Sequence, residues 1–273
     1  MKISHVIRGE EHLSNTPKQI LLYEALNEQI PYFAHLPLIL NKDGKKLSKR
    51  DAATSVIDYK NLGILPEALL CYLIRLGWSY GDQEIFTFEE LLKYFDLKKI
   101  HSSGAIFDIQ KLFWINSCFI KKLSDEEIYK KIFEYNLVNN NFLNNWKIEN
   151  KLKCINLYKN RAESLNDIIN FSLNVFNGPE NFEFKKNLKF IEIENNKKIL
   201  KIFIKTINEN IFNDLNLIKE FVKNLCEENS IEQSTFFKLL RFFILGKIES
   251  PSIYEIINII GFEETKKRIL NNV

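Results

Sequence analysis

The sequence predicts a mainly helical protein that opens on a short α/β segment, and three features carry that reading. A β-branched, partly alternating stretch at residues 3–7 precedes a charged turn and a strong helix start, which together make half of a βα unit. From about residue 59 the apolar spacing becomes helical, with capping-box signals at Thr87/Glu90, Ser124/Glu127, Ser230/Gln233 and Ser252/Glu255. A succession of alternating strands, which a β-barrel would need, is missing from that part.

Taken in order, Ile3, Ser4, His5, Val6 and Ile7 suit a buried strand. Thr16-Pro17-Lys18-Gln19 then starts a helix: Thr16 can cap, Pro17 sits where its missing N–H costs nothing, and Gln19 can reach back to the cap. The apolar run at residues 20–26 is expected to form the buried side of that helix. Residues 36–40 read as a second apolar segment, leading into the turn Asn41-Lys42-Asp43-Gly44. Residues 66–76 are apolar enough to be buried over much of their surface, and Gly77 is placed to end them. Lys121-Lys122-Leu123-Ser124 marks a junction, and Asn177-Gly178-Pro179 a second break. Phe236, Phe237, Phe242 and Phe243 recur at helical spacing and are expected in a core. Gly261 is expected to stop the helix that begins near Ser252. The Asn-rich residues 139–145 read as a solvated loop. Residues 182–194 alternate in places within helical surroundings and stay unassigned.

With 273 residues and 45% hydrophobic content the chain can bury sizeable cores, and its length predicts roughly two domains. A net charge of +3 neither demonstrates nor excludes a nucleic-acid partner, because local patches decide that. Cys71, Cys118, Cys154 and Cys226 are dispersed without a close pair, so reduced thiols in a cytoplasmic protein are expected rather than a disulfide framework. His5 and His12 match no common ligand spacing, and no protein-bound metal is expected. No basic segment followed by an apolar core opens the chain, and no run approaches 18 apolar residues, so neither secretion nor membrane insertion is expected.

Two charged clusters carry the chemistry. Arg8-Gly9-Glu10-Glu11-His12 lies on the strand-to-helix turn, and in open α/β sheets ligands bind beyond the carboxyl ends of the strands. Arg8 suits a carboxylate, which guanidinium binds through two parallel hydrogen bonds; a surface ion pair with Glu10 or Glu11 is the competing reading. The second cluster, Lys46-Leu47-Ser48-Lys49-Arg50, follows the Gly44 turn and suits a polyphosphate. Alone, its three positive charges read first as a solvated loop. The strand, the turn and the upstream arginine cluster favour a site. The glycines of a Walker motif are missing.

These residues resemble glutamyl-tRNA synthetases, which are class I aminoacyl-tRNA synthetases. Lys46-Leu47-Ser48-Lys49-Arg50 is similar to that family's form of the Lys-Met-Ser-Lys-Ser motif. The phrases from Val6 through Arg8 to Thr16, from Phe33 through His35 to Ile39, and Leu65-Pro66-Glu67-Ala68-Leu69 also match. Weaker signposts follow in order: Arg161 with Ser164-Leu165, and Gly246 with Ser250-Pro251. The class-wide His-x-Gly-His does not occur, so the chain resembles the C-terminal part of such an enzyme.

The resemblance implies the distal part of a Rossmann-like catalytic domain at residues 1–58 and a helical stem-contact domain at 59–124. Anticodon-binding helical subdomains are implied at 125–183 and 184–273. It implies ATP-dependent attachment of L-glutamate to tRNA(Glu) through a glutamyl adenylate, with magnesium entering alongside ATP. Lys49 and Lys46 would be catalytic, stabilising charge around the α-phosphorus. Glu11, Ile39, Lys46, Leu47, Ser48, Lys49 and Arg50 would contact ATP, with Glu11 on the ribose hydroxyls and Ile39 on adenine. Arg8 would hold glutamate. Arg161 would touch tRNA, although a helix-surface arginine is an equal reading. A non-catalytic tRNA-binding piece, or one half of a split enzyme working with a separate N-terminal catalytic half, are the alternatives. Glutaminyl-tRNA synthetases carry β-barrels for anticodon binding, so helical periodicity favours the glutamyl branch.

Overall fold

A computed structural model of the chain describes residues 2–48, 55–135, 137, 146–179, 194–212 and 214–271. Two units result, Met1–Lys122 and Leu123–Val273, and their boundary falls in the predicted junction. The Asn-rich loop and residues 182–193 lie outside the described residues.

The first unit opens on β1 (His5–Gly9), a 3₁₀ turn (Glu10–Asn15), α1 (Thr16–Ala25) and β2 (Tyr32–Leu36). β1 and β2 pair in parallel, with Arg8 opposite His35 and Gly9 opposite Leu36. This is a complete βαβ unit, the connection a parallel pair requires. β3 (Ile39–Leu40) pairs in parallel with β4 (Ala105–Ile106). Gly104 permits that approach, because a methyl there would lie 2.9 Å from the Leu38 carbonyl oxygen.

Helices follow: α2 (Val56–Asn61), α3 (Pro66–Arg75), α4 (Phe88–Tyr94) and α5 (Ile109–Ile120). The unit's buried side chains, including Tyr59, Leu65, Tyr72, Trp78, Phe86, Leu112 and Ile115, come from this later part. Two polar contacts fasten α3 to α5. The Leu65 amide donates to Asn116 Oδ1 at 2.8 Å, and Asn116 Nδ2 donates to the Gly63 carbonyl, both in the interior. The Asp108 amide donates to the Tyr72 hydroxyl at 2.6 Å.

The second unit is helical throughout its described residues: α6 (Asp125–Glu134), α7 (Ile148–Lys159), α8 (Leu165–Asn177), α9 (Glu194–Thr206), α10 (Glu209–Phe212), α11 (Leu215–Glu228), α12 (Gln233–Leu245), α13 (Ile253–Ile260) and α14 (Phe262–Leu270). One core joins them, with Phe203, Phe236, Leu240, Phe242, Phe243 and Ile257 at its centre. Phe237 packs against its edge. Gly178 and Gly261 end α8 and α13 at φ +77° and +86°, as the two predicted stops require. Buried Arg268 donates to the carbonyls of Val175, Phe176 and Ile244 and to Glu264 Oε1. It thereby satisfies the last carbonyls of α8 and α12.

Five local expectations are corrected. Residues 20–26 do not form a buried side: Leu21, Leu22 and Leu26 are 64%, 61% and 71% exposed. The strand at 3–7 is likewise uncovered, since Ile3 and Ile7 face solvent and only Thr16 and Pro31 are buried within residues 2–48. Thr16 is not the cap of α1, which is Asn15; its hydroxyl is engaged by Arg8 and His35. Ser230 takes a left-handed φ of 52°, so α12 begins after Glu232, and Ser252 occupies the cap position without a side-chain bond. The Thr87/Glu90 and Ser124/Glu127 boxes form, and two further boxes close with aspartate, Ser55/Asp58 and Ser164/Asp167.

Candidate functional site

The two charged clusters meet. Lys46 Nζ lies 3.1 Å from Glu11 Oε1, linking groups 35 residues apart. The turn after β1 presents Glu11, and Gly9 makes room for it, because a methyl at Gly9 would overlap the Glu11 carboxylate. A hydrogen bond to Glu11's own backbone, and then the Lys46 ammonium, hold its carboxyl below the usual carboxylate range.

Lys46 is presented by a hairpin whose geometry is written in Asn41. Asn41 Oδ1 accepts from the Asp43 and Lys45 amides, and the Gly44 amide donates to the Asn41 carbonyl with Gly44 at φ +74°. The Leu47 amide donates to the Ile39 carbonyl at 2.8 Å, which ties the motif to β3. Ser48 is exposed at the end of the described segment. Lys49 and Arg50 lie outside the described residues.

Arg8 sits at the carboxyl end of β1 and is held from two sides. Its Nη2 donates to Thr16 Oγ1 at 2.8 Å, and its guanidinium lies 5.4 Å from the centroid of the Phe33 ring. Its Nε is buried without a hydrogen-bond partner. Glu10 and Glu11 turn elsewhere: Glu10 Oε1 accepts from the Leu38 amide, and Glu11 pairs with Lys46. The surface ion pair that competed for Arg8 is therefore not formed. Rigid support with spare donor capacity suits an incoming anion.

Beside the charged turn, Ile39 lines an apolar cavity of about 280 Å³ with Leu38, Leu73, Trp78, Phe95 and Ile100. The sequence expectation therefore divides by position. Arg8, Glu11, Ile39, Lys46, Leu47 and Ser48 converge on strand ends and turns of one unit, whereas Arg161 belongs to the other unit.

In the second unit Arg161 is exposed just beyond α7. Its charge acts on Arg241 of α12, whose guanidinium is brought below its ordinary pKa by burial first and by Arg161 second. Arg241 Nε donates to Ser250 Oγ at 3.0 Å, and Ser250 Oγ donates to the Pro251 carbonyl. The late signposts Arg161 and Ser250-Pro251 are thus brought around one half-buried arginine. Sequence reading passed over Arg241. Its signal was a lone guanidinium inside the apolar run from Phe236 to Leu245.

Among the described residues no group of three or more His, Cys, Asp or Glu side chains is arranged to hold a metal, and no helix is long and apolar enough to cross a membrane.

Comparison with known proteins assigns both units. The family model described as tRNA synthetases class I (E and Q), catalytic domain, matches residues 1–114, and an anticodon binding domain model matches residues 116–273. Glutamate–tRNA ligase 1 of Aliarcobacter butzleri is 40% identical over 271 residues, covering 98% of this chain and 56% of that protein. Glutamate–tRNA ligase 2 of Campylobacter concisus is 40% identical over 273 residues, covering 99% of this chain and 57% of that protein. The crystal structure of a glutamate tRNA ligase from Elizabethkingia meningosepticum, in complex with its amino acid, superposes with a TM-score of 0.80 at 34% identity, covering 99% of this chain and 57% of that one. The chain spans just over half the length of these relatives. A strand-end cluster of Arg8, Glu11 and Lys46, an all-helical second unit among the described residues and these matches agree: the chain belongs to the glutamate–tRNA ligase family of class I aminoacyl-tRNA synthetases.

Proposed function

We propose that this chain works in ATP-dependent attachment of glutamate to tRNA(Glu), by way of a glutamyl adenylate. The observation that carries the reading is the meeting of Lys46 with Glu11 beside an Arg8 that has no carboxylate partner among the described residues. Arg8 grips the glutamate side-chain carboxylate, and an uncharged glutamine loses much of that interaction. Glu11 accepts from the ribose hydroxyls of ATP, and Ile39 gives adenine an apolar edge. Lys46 and Lys49 meet the phosphates, with Leu47, Ser48 and Arg50 completing the loop. Magnesium enters with ATP, held by phosphates and water.

In the first step a carboxylate oxygen of glutamate attacks the α-phosphorus and pyrophosphate leaves. Charge gathers on the oxygens around a five-coordinate phosphorus, so a fixed cation stabilises the transition state more than the ground state. When ATP enters, Glu11 exchanges Lys46 for the ribose, which frees the ammonium for the phosphates. In the second step a hydroxyl of the terminal ribose of tRNA attacks the carbonyl carbon of the glutamyl adenylate, the acyl–phosphate bond breaks, and AMP leaves. Residues 59–124 contact the stem, and 125–183 and 184–273 bind the anticodon arm, where Arg161 and Arg241 offer guanidinium planes to unstacked bases.

The catalytic part needs more polypeptide than residues 1–58. Parallel sheets are normally covered on both faces, yet α1 and β1 leave Ile3, Ile7, Leu21, Leu22 and Leu26 in solvent. We assign that surface to the remainder of a class I catalytic domain, on the same or a separate chain. The test joins this chain to the stretch of the Aliarcobacter butzleri relative that it does not match, and measures charging of tRNA(Glu). Glutamate- and ATP-dependent charging, abolished by Arg8→Ala and lowered about a hundredfold by Lys49→Ala, is expected. Charging unaffected by either substitution would refute the assignment.

A further inference from the structure

Thr16 is buried in a part of the chain where almost nothing else is, yet it does not serve the helix it opens. Its hydroxyl lies at the centre of a polar cluster drawn from three elements. Arg8 Nη2, on β1, donates to Thr16 Oγ1 at 2.8 Å, and His35 Nε2, on β2, lies 2.9 Å from the same oxygen. The His12 carbonyl oxygen, in the 3₁₀ turn, is a more distant neighbour at 3.4 Å. The parallel register sets Arg8 opposite His35. Phe33 stands two residues before His35 and so shares its face of the strand, where the Phe33 ring meets the Arg8 guanidinium at 5.4 Å.

Counting protons orders this cluster. A threonine hydroxyl has one hydrogen to give and two lone pairs to offer, whereas a guanidinium only donates. One lone pair of Thr16 Oγ1 therefore receives Arg8, and the hydrogen goes to the nearer of the two acceptors, His35 Nε2. Accepting at Nε2 places the imidazole hydrogen on Nδ1. The opposite tautomer would bring a second donor to the same oxygen and turn the hydroxyl toward the long contact with His12. Held at its hydrogen by His35, Thr16 keeps a lone pair aimed at Arg8. Arg8 Nε is buried without a partner and one Nη2 hydrogen is taken, so the Nη1 hydrogens and the second Nη2 hydrogen remain for a ligand.

We propose that His35 is a positioning residue for the glutamate-binding arginine, acting through the Thr16 hydroxyl to fix the orientation of the Arg8 guanidinium. An arginine restrained before it binds loses less side-chain freedom on contact, so the restraint appears as affinity. It also sharpens choice. A loose guanidinium can swing to a single acceptor such as the amide oxygen of glutamine, whereas fixed donors favour the carboxylate that accepts from two of them. This inference rests on the reading of Arg8 as the residue that holds glutamate and adds the device that orients it.

The test has two arms. In the first, nitrogen NMR of the isotope-labelled 273-residue chain reads the His35 imidazole and the Arg8 guanidinium in mildly alkaline buffer. The wild-type chain should show Nε2 as the unprotonated nitrogen and slowed rotation of the Arg8 Nη groups. His35→Leu should speed that rotation, and His35→Gln, whose amide oxygen can accept from Thr16, should slow it again. A hydrogen on Nε2, or Arg8 signals that ignore His35→Leu, would overturn the proposal. In the second arm, this chain joined to the unmatched stretch of the Aliarcobacter butzleri relative charges tRNA(Glu). His35→Leu should raise KM for glutamate about tenfold, the upper scale of one hydrogen bond, with kcat and KM for ATP within about twofold. His35→Gln should recover most of that loss. An unmoved KM, or equal values in the two variants, would also overturn the proposal. A failure of the underlying reading shows separately, as a joined protein that does not charge or whose charging ignores Arg8→Ala, and the first arm then decides for His35.

Discussion

Replacing Arg268 by methionine should loosen the second unit by about 3–5 kcal/mol, the range for breaking a buried charged network from one side. The Arg268 side chain is 6% exposed and its charge-assisted bonds include those at 2.8 Å to Glu264, 2.9 Å to Val175, 3.0 Å to Phe176 and 3.2 Å to Ile244. Methionine fills much of the volume, so the loss comes from three carbonyls and a carboxylate left without their donor. Lysine should recover only part of it, because one ammonium cannot reach the ends of both α8 and α12. Urea unfolding followed by circular dichroism gives the free energy. Hydrogen exchange at the amides of α8 and α12 gives the location. Because α12 also carries Arg241, the variant should bind tRNA more weakly at temperatures where it begins to open. A change below about 1 kcal/mol would mean that water replaces the guanidinium at those carbonyls, and the proposed role of Arg268 as the clamp between two helix ends would be wrong.

Three further outcomes follow from the first unit. Asn116→Leu should cost about 2–3 kcal/mol in thermal or urea unfolding, since the Leu65 amide and Gly63 carbonyl lose a buried partner; a neutral substitution would show that the contact is dispensable. Lys46→Gln should raise the Glu11 titration midpoint toward the ordinary carboxylate value, read by carboxyl-carbon NMR, and an unmoved midpoint would deny the ion pair in solution. Burial pushes the Tyr72 hydroxyl up to about 12. Its folded value lies above the unfolded value of about 10, so its contribution is intact below about pH 10 and is lost as pH rises toward 12. The loss should approach 2–3 kcal/mol, at about 1.4 kcal/mol per pH unit; Tyr72→Phe should flatten the stability profile over that window, and an equally steep fall would place the alkaline transition elsewhere.

The sequence was most legible where local chemistry acts alone. Thr87/Glu90 and Ser124/Glu127 close their capping boxes because the partners are three residues apart, within the first turn of the helix that each box starts. Gly178 and Gly261 stop helices because their left-handed φ is inexpensive only for glycine. Misreadings arose where distant groups decide. Thr16 has the type and place of a cap, yet Arg8 and His35 claim its hydroxyl, and those partners are visible only once β1 and β2 pair. The apolar run at 20–26 was read as buried because periodicity reports an apolar face without saying whether anything covers it. At the site, residue types and turn were readable from spacing, but the closure of Lys46 on Glu11 depends on a hairpin that Asn41 builds. Arg241 was hidden by the phenylalanines around it, and its link to Ser250 needs the fold.

Binding of tRNA(Glu) by the intact chain tests the central claim most directly. Filter binding at fixed salt would compare the wild-type transcript with one altered in the anticodon and one altered only at the acceptor end. The expected result is roughly tenfold weaker binding for the anticodon variant, the scale of one lost base contact. The acceptor variant should bind within about twofold of wild type. Arg241→Gln should erase the preference between the first two transcripts. Equal affinity of the unaltered chain for all three transcripts would contradict the account.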